Sequence, residues 1–198
     1  AGAARIALIA RQLFEKEPTW VTFHLYGSFA KTYRGHGTDV ALIGGILGFD
    51  TFDKRIPKAK EIAKNKGISF RFHEEEAQME HPNTVLIRLG DEDHSLELLG
   101  VSIGGGKVVI KELNVFSLRL SGNHPALLVI HNDRFGAIAA VSSVLAKHKI
   151  NIAHMEVSRK DVGKEALMVI EVDQNISDEV LKEVESQKHV IKVSKIHD

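Results

Sequence analysis

The chain has 198 residues, 43% hydrophobic and 26% charged, a globular composition with room for one large or two small domains. Its 26 Lys and Arg balance 26 Asp and Glu, which leaves no basic field for nucleic acid and no acidic tail. No apolar run nears the ~20 residues of a membrane span, no secretory signal is visible, and Cys is absent, which excludes disulfides, thiolate catalysis and any cluster or Cys-ligated zinc held by this chain. The default expectation is a cytoplasmic protein. The chain opens at Ala1 without Met, so a native segment is expected upstream.

In chain order, residues 3–17 place Ile6, Ile9, Ala10 and Leu13 on one face, which predicts a helix ended by Pro18. β-Branched and aromatic residues over 19–27 predict a strand, followed by a Gly-punctuated loop to residue 39. Thr38 and Asp39 suit a cap for a helix through 40–48. Pro57 and Gly67 bracket another helix, and 68–73 alternates as a strand. From 84 to 120 four strand-like runs separated by "DEDH" and "GGG" read as an antiparallel meander. The first half is therefore expected to be α+β with an antiparallel sheet.

"SGNHP" at 121–125 reads as a linker, giving domains 1–121 and 122–198. Beyond it the order is strand 126–131, helix 137–149, strand 150–157, strand 166–172, helix 177–187 and strand 190–196. That is βαββαβ, the ferredoxin-like arrangement. Ser177 is placed to cap the second helix.

The corner His131-Asn132-Asp133-Arg134-Phe135-Gly136 joins the first of these strands to its helix. A helix start attracts an anion such as a carboxylate. Gly136 lets a ligand or a second backbone approach closely, and Asn132 and Asp133 are able to accept from an ammonium group. Asn151, opening the next strand, is expected nearby. From spacing alone, capping by Asn or Asp remains the commoner use of such residues.

The stretch "LLVIHNDRFGAIAAVSSVLAKHKINIAHMEVSR", followed by "EALMVIEVD", resembles an ACT domain, a family that binds small ligands, usually amino acids, often between two copies. The resemblance implies regulatory ligand contacts at His131, Asp133 and Asn151, the positions matching those of the serine-binding ACT domain of 3-phosphoglycerate dehydrogenase. Asn132, Gly136 and Ile152 complete the expected set. Phe135 stands where that family often has Pro. A homodimer through this domain is expected.

The stretches "AGAARIA", "LYGSFAKTYRGHGTDVALIGGILG" and "FHEEE" resemble the β domain of bacterial iron–sulfur-dependent L-serine dehydratases, and also the allosteric substrate-binding domain of some 3-phosphoglycerate dehydrogenases. With the ACT-like part, the resemblance covers essentially the whole chain and implies the separate β subunit of a two-subunit enzyme. It implies conversion of L-serine to pyruvate and ammonia, with a four-iron four-sulfur cluster carried by an α subunit, because this chain has no Cys. It implies His36 as a proton-transfer group and Ser28, Gly37, Thr38 and Asp39 at the substrate. In that family a segment "S-S-S-H-T" precedes "A-G-A-A-R", so a further histidine of the site is expected upstream. The alternative is a stand-alone amino-acid-sensing module resembling the regulatory part of 3-phosphoglycerate dehydrogenase.

Other features have plain readings. No two histidines fall at i, i+4 spacing, so no metal site is expected. "GGGK" at 104–107 lacks the rest of a phosphate loop and reads as a hairpin turn. "HEEEA" at 73–77 reads as a solvated loop.

Overall fold

Small and branched apolar residues fill the first helix, α1 (Gly2–Phe14), and every residue from Gly2 to Ala10 is buried. The helix stops before the expected residue 17 because Glu15 turns left-handed (φ 69°) and returns its amide to the Arg11 carbonyl. The computed structural model describes residues 1–197. The chain divides into two units, one ending at Asn114 and one beginning at Val115.

In the first unit, β1 (Trp20–Tyr26), β2 (Ser69–Glu74), β3 (Asn83–Gly90), β4 (Ser95–Gly104) and β5 (Lys107–Leu113) lie in the order β2-β1-β3-β4-β5. Alternation sets the faces. Val21, Phe23 and Leu25 of β1 stand opposite Leu89, Ile87 and Val85 of β3, and all six are buried. Strands β3, β4 and β5 form the expected antiparallel meander. The sheet as a whole is not antiparallel, which corrects the expectation: β1 and β2 run parallel, from Trp20 opposite Ser69 to Leu25 opposite Glu74. A parallel return needs a long crossover, and here the crossover carries α2 (Gly27–Thr32), α3 (Thr38–Ile46), a tight turn at Ile56–Lys58 and α4 (Ala59–Asn65). Helix α2 falls within the expected loop.

Helix α1 packs against β4 and α3. The crossing with α3 is close at Gly45, where a Cβ would sit 2.6 Å from the Ala7 Cβ and 2.7 Å from the Leu8 nitrogen. Only glycine permits that approach.

The second unit contains β6 (Phe116–Ser121), β7 (Ala126–Asn132), α5 (Ala137–Lys147), β8 (Ile152–Arg159), β9 (Glu165–Val172), α6 (Asp178–Glu185) and β10 (Val190–Ile196). Strands β10-β7-β9-β8 pair antiparallel in that order, which is the βαββαβ topology expected. Leu127, Val129, Met168, Ile170 and Val193 from the strands meet Val141, Val144, Leu145, Val180 and Val184 from the helices in one buried core. The Ser177 hydroxyl accepts from the Val180 amide at 3.3 Å, the cap that starts α6. Strand β6 lies against β8 and β9 within this unit.

Candidate functional site

Two polar corners carry the residues of interest, one in each unit. In the first, α2 ends at Thr32, whose carbonyl accepts the His36 amide at 3.1 Å. The Gly35-His36 segment is exposed, and the His36 imidazole has no hydrogen-bond partner among the described residues. Ser28, in the first turn of α2, is also exposed.

Gly37, at φ 76°, is the N-cap of α3, and no side chain caps it. This corrects the capping expected of Thr38 and Asp39. Thr38 opens the helix proper, and Asp39 in its first turn is buried at 6% exposure. The Asp39 carboxylate accepts from the Val40 amide at 2.8 Å and pairs with Lys60 of α4. It therefore ties the loop to the crossover and makes no bond to His36. Beside it the Arg34 Nε donates to the Tyr33 hydroxyl at 2.9 Å, which holds the guanidinium above its ordinary value.

Sequence reasoning missed a neighbouring feature. His24 Nδ1 lies 2.8 Å from Glu75 Oε1, and the His24 ring stacks on His73 at 4.9 Å between centroids. Next to this pair is a cavity of about 600 Å³ whose lining includes Gly27, Lys31, Glu74, Glu75 and His81. The stretch expected to be a solvated loop thus supplies a carboxylate oriented on a histidine. The alternation of β1 signals it in part, since His24 falls on the polar face between Phe23 and Leu25.

In the second unit His131 is 2% exposed. Its Nδ1 is 2.8 Å from the Asn132 carbonyl oxygen, which fixes Nδ1–H as donor, and its buried Nε2 has no partner. Gly136 at φ 88° caps α5 with open space where a Cβ would point, and again no side chain caps the helix. Asp133, expected to cap or to hold an ammonium, instead fastens the β8–β9 hairpin. Its amide donates to the Lys164 carbonyl at 2.6 Å, and its Oδ2 accepts from the Gly163 amide at 3.0 Å, with Arg159 3.4 Å away.

Asn151 is not beside this corner. Asn132 stands opposite Glu165 at one end of β9, whereas Ile152 stands opposite Val172 at the other. Asn151 there donates to Asp173 at 2.8 Å. Seven residues of extended strand separate the two ends by roughly 23 Å. The reason is directional: α5 carries the chain back along the sheet to the end where β7 began.

Asp91, Asp93 and His94, in the β3–β4 turn, hold their ligand atoms within 4.8 Å of one another. Asp91 is engaged by Lys16 and by the Asp93 and His94 amides, both at 2.9 Å, as a turn requires. Among the described residues no helix is long and apolar enough to cross a membrane.

The chain is similar to known proteins along its whole length. The serine dehydratase beta chain family matches residues 1–113 and the ACT domain family matches residues 126–189. A probable L-serine dehydratase beta chain of Bacillus subtilis (strain 168) is 60% identical over 198 residues, all of this chain and 90% of that protein. An L-serine dehydratase beta chain of Peptoniphilus asaccharolyticus is 34% identical over 183 residues, 90% of this chain and 81% of that protein. A D-3-phosphoglycerate dehydrogenase of Bacillus subtilis (strain 168) is 26% identical over 196 residues, 98% of this chain but only 37% of that protein. The chain belongs to the serine dehydratase beta chain family and carries an ACT domain in its second unit.

Proposed function

We propose that this chain works with an alpha subunit in the cytoplasm as an L-serine dehydratase, releasing pyruvate and ammonia from L-serine. The observation that carries the reading is the exposed Gly35-His36 segment in a chain matched end to end by a probable L-serine dehydratase beta chain. The reaction removes the α-proton, expels the β-hydroxyl and hydrolyses the resulting enamine. A four-iron four-sulfur cluster does not fit this chain, which has no cysteine thiolate to ligate one. The cluster is assigned to the alpha subunit, where its Lewis acidity would assist hydroxide departure.

What this chain supplies is a proton-transfer group on a surface open to a partner. Histidine is suited to that task near neutral pH, and the Asp39–Lys60 pair anchors the loop that presents it. Ser28, Gly37 and Thr38 belong to the same proposed surface. The domain assignment follows the same reading, with the catalytic part in 1–121 and the regulatory part in 122–198. The test is reconstitution. The chain mixed with a cluster-loaded alpha subunit should form pyruvate from L-serine, and neither subunit should do so alone. A fully loaded, stably associated pair without pyruvate would end the reading.

The ACT part is proposed to sense a small amino acid such as L-serine, as a regulator of a serine-consuming enzyme. The unpaired Nε2 of buried His131 supports this, because a ligand donor would satisfy it. Asn132, Asp133, Gly136, Asn151 and Ile152 complete the proposed site. Since Asn151 and the 131–136 corner lie at opposite ends of the sheet, one small ligand touches both only if a second copy supplies one of them. That argues for the homodimer.

A further inference from the structure

A second cavity, about 390 Å³, lies beside the His36 loop, bounded by Tyr33, Arg34, Asp39, Lys60, Phe70, Arg71 and Phe72. Its apolar lining is aromatic. Tyr33 stacks on Phe72 at 5.4 Å between centroids, and Phe70 meets Phe72 edge-on at 6.2 Å. Strand β2 forms one wall and is an edge strand of its sheet. Ser69 and Glu75 send their amides to the Thr19 and Leu25 carbonyls. By the two-residue repeat of the strand, the amides of Phe70 and Phe72 then point away from β1, toward the free edge.

Charge decides what such a cavity takes. Asp39, its one carboxylate, pairs with Lys60 and accepts from the Val40 amide, against three lining cations, Arg34, Lys60 and Arg71, with Glu74 in electrostatic reach of Arg34. Arg34 commits only its Nε, to the Tyr33 hydroxyl, so the two outer amino groups of its guanidinium have no hydrogen-bond partner among the described residues. A fork of free Arg donors and two outward strand amides beside aromatic rings match a planar acceptor with two oxygens. We infer that this cavity binds the carboxylate of a small 2-amino or 2-oxo acid, with Arg34 as its anchor. The identity of the acid rests on the function proposed above, since L-serine and pyruvate share that group; the carboxylate preference does not.

The test is an amide-resolved NMR titration of the isolated chain with L-serine, pyruvate and ethanolamine. Ethanolamine carries the amine and hydroxyl of serine without its carboxylate. Saturable shifts at Arg34, Phe70 and Phe72 are expected with the first two probes and not with the third. Arg34→Gln should weaken them at least about tenfold, and Arg34→Lys by less. Arg34 is exposed, so both variants should fold, which unchanged signals elsewhere would verify. An equal response to ethanolamine, a response confined to 131–136, or an unaffected Arg34→Gln titration would each overturn the inference. The titration needs no alpha subunit, so its outcome is separable from that of reconstitution: a negative result leaves the His36 reading standing, and an inactive reconstituted pair leaves this site standing.

Discussion

The two units place their buried polar groups differently. In the first, the buried carboxylate of Asp39 is paired with Lys60 and the Val40 amide, while the histidine of the same loop stands in solvent. In the second, His131 and Glu171 are buried at 2% and 6% exposure, and each keeps one atom with no partner, Nε2 and Oε1. A buried polar atom without a partner costs about 1–3 kcal/mol. The first unit thus braces a surface loop and leaves one unpartnered buried atom, Arg11 Nε on α1, whereas the second keeps two such atoms on strands of its sheet. The difference sets what each unit offers to a test: an exposed histidine in one, and two buried unpartnered atoms on the strands of the other.

The comparison can be broken at several points. The largest effect is expected from His36→Ala, which should lower turnover of the reconstituted enzyme by roughly 10²–10⁴-fold. It should leave calorimetric L-serine binding to the second unit unchanged; normal turnover would remove His36 from the chemistry. Asp39→Ala strips Lys60 and the Val40 amide of their partner and should destabilise the first unit by about 1–3 kcal/mol in urea titrations. No change would mean that the pair does not brace the loop.

His131→Leu sharpens the other side. It removes an unpaired acceptor from an apolar setting, so the unfolding free energy from urea titrations should change by less than about 1 kcal/mol. The response of residues 131–136 to L-serine should nevertheless disappear, while that at Arg34, Phe70 and Phe72 persists; an unchanged response at 131–136 would place the regulatory site elsewhere.

The smallest effect is a slope. Burial pushes the Glu171 carboxyl above its ordinary value, against the opposing pull of His154, His124 and the Ser121 amide. A raised carboxyl means that the folded state binds more protons than the unfolded state between the ordinary carboxylate value and the raised one. Stability of the second unit should therefore decline as pH rises through that window. Glu171→Gln should flatten the decline. An identical pH dependence in variant and parent would show that Glu171 is not its source.

Much of this was legible in the residues. Alternation and punctuation located all four strands of the sheet in the second unit and its two helices, because each has a clear period and Ser177 marks a start. In the first unit the meander was equally plain. Helix α2 was not, since six residues beginning at Gly27 show no helical period. The parallel β1–β2 pair was invisible because local pattern says nothing about which distant strand a segment joins. Both capping expectations failed alike: glycines at positive φ took the N-cap positions, freeing Asp39 and Asp133 for long-range ties. The place of Asn151 depends on the direction of α5, which returns the chain to the far end of the sheet and which local pattern does not show. The matches to known beta chains support the family that "G-H-G-T-D" and the surrounding stretches suggested.

The parallel register of β1 and β2 also sets an order of assembly. Trp20 and Ser69 must meet across a crossover that holds three helices before the first bond of that ladder can form. Closing so long a loop is entropically costly and slows folding. Strand β2 hydrogen-bonds to one neighbour only, so it should dock late and fray early, its amides exchanging with deuterium ahead of those of β3. An acid held at that edge would act as a latch, raising the unfolding midpoint of the first unit as its concentration rises above the dissociation constant.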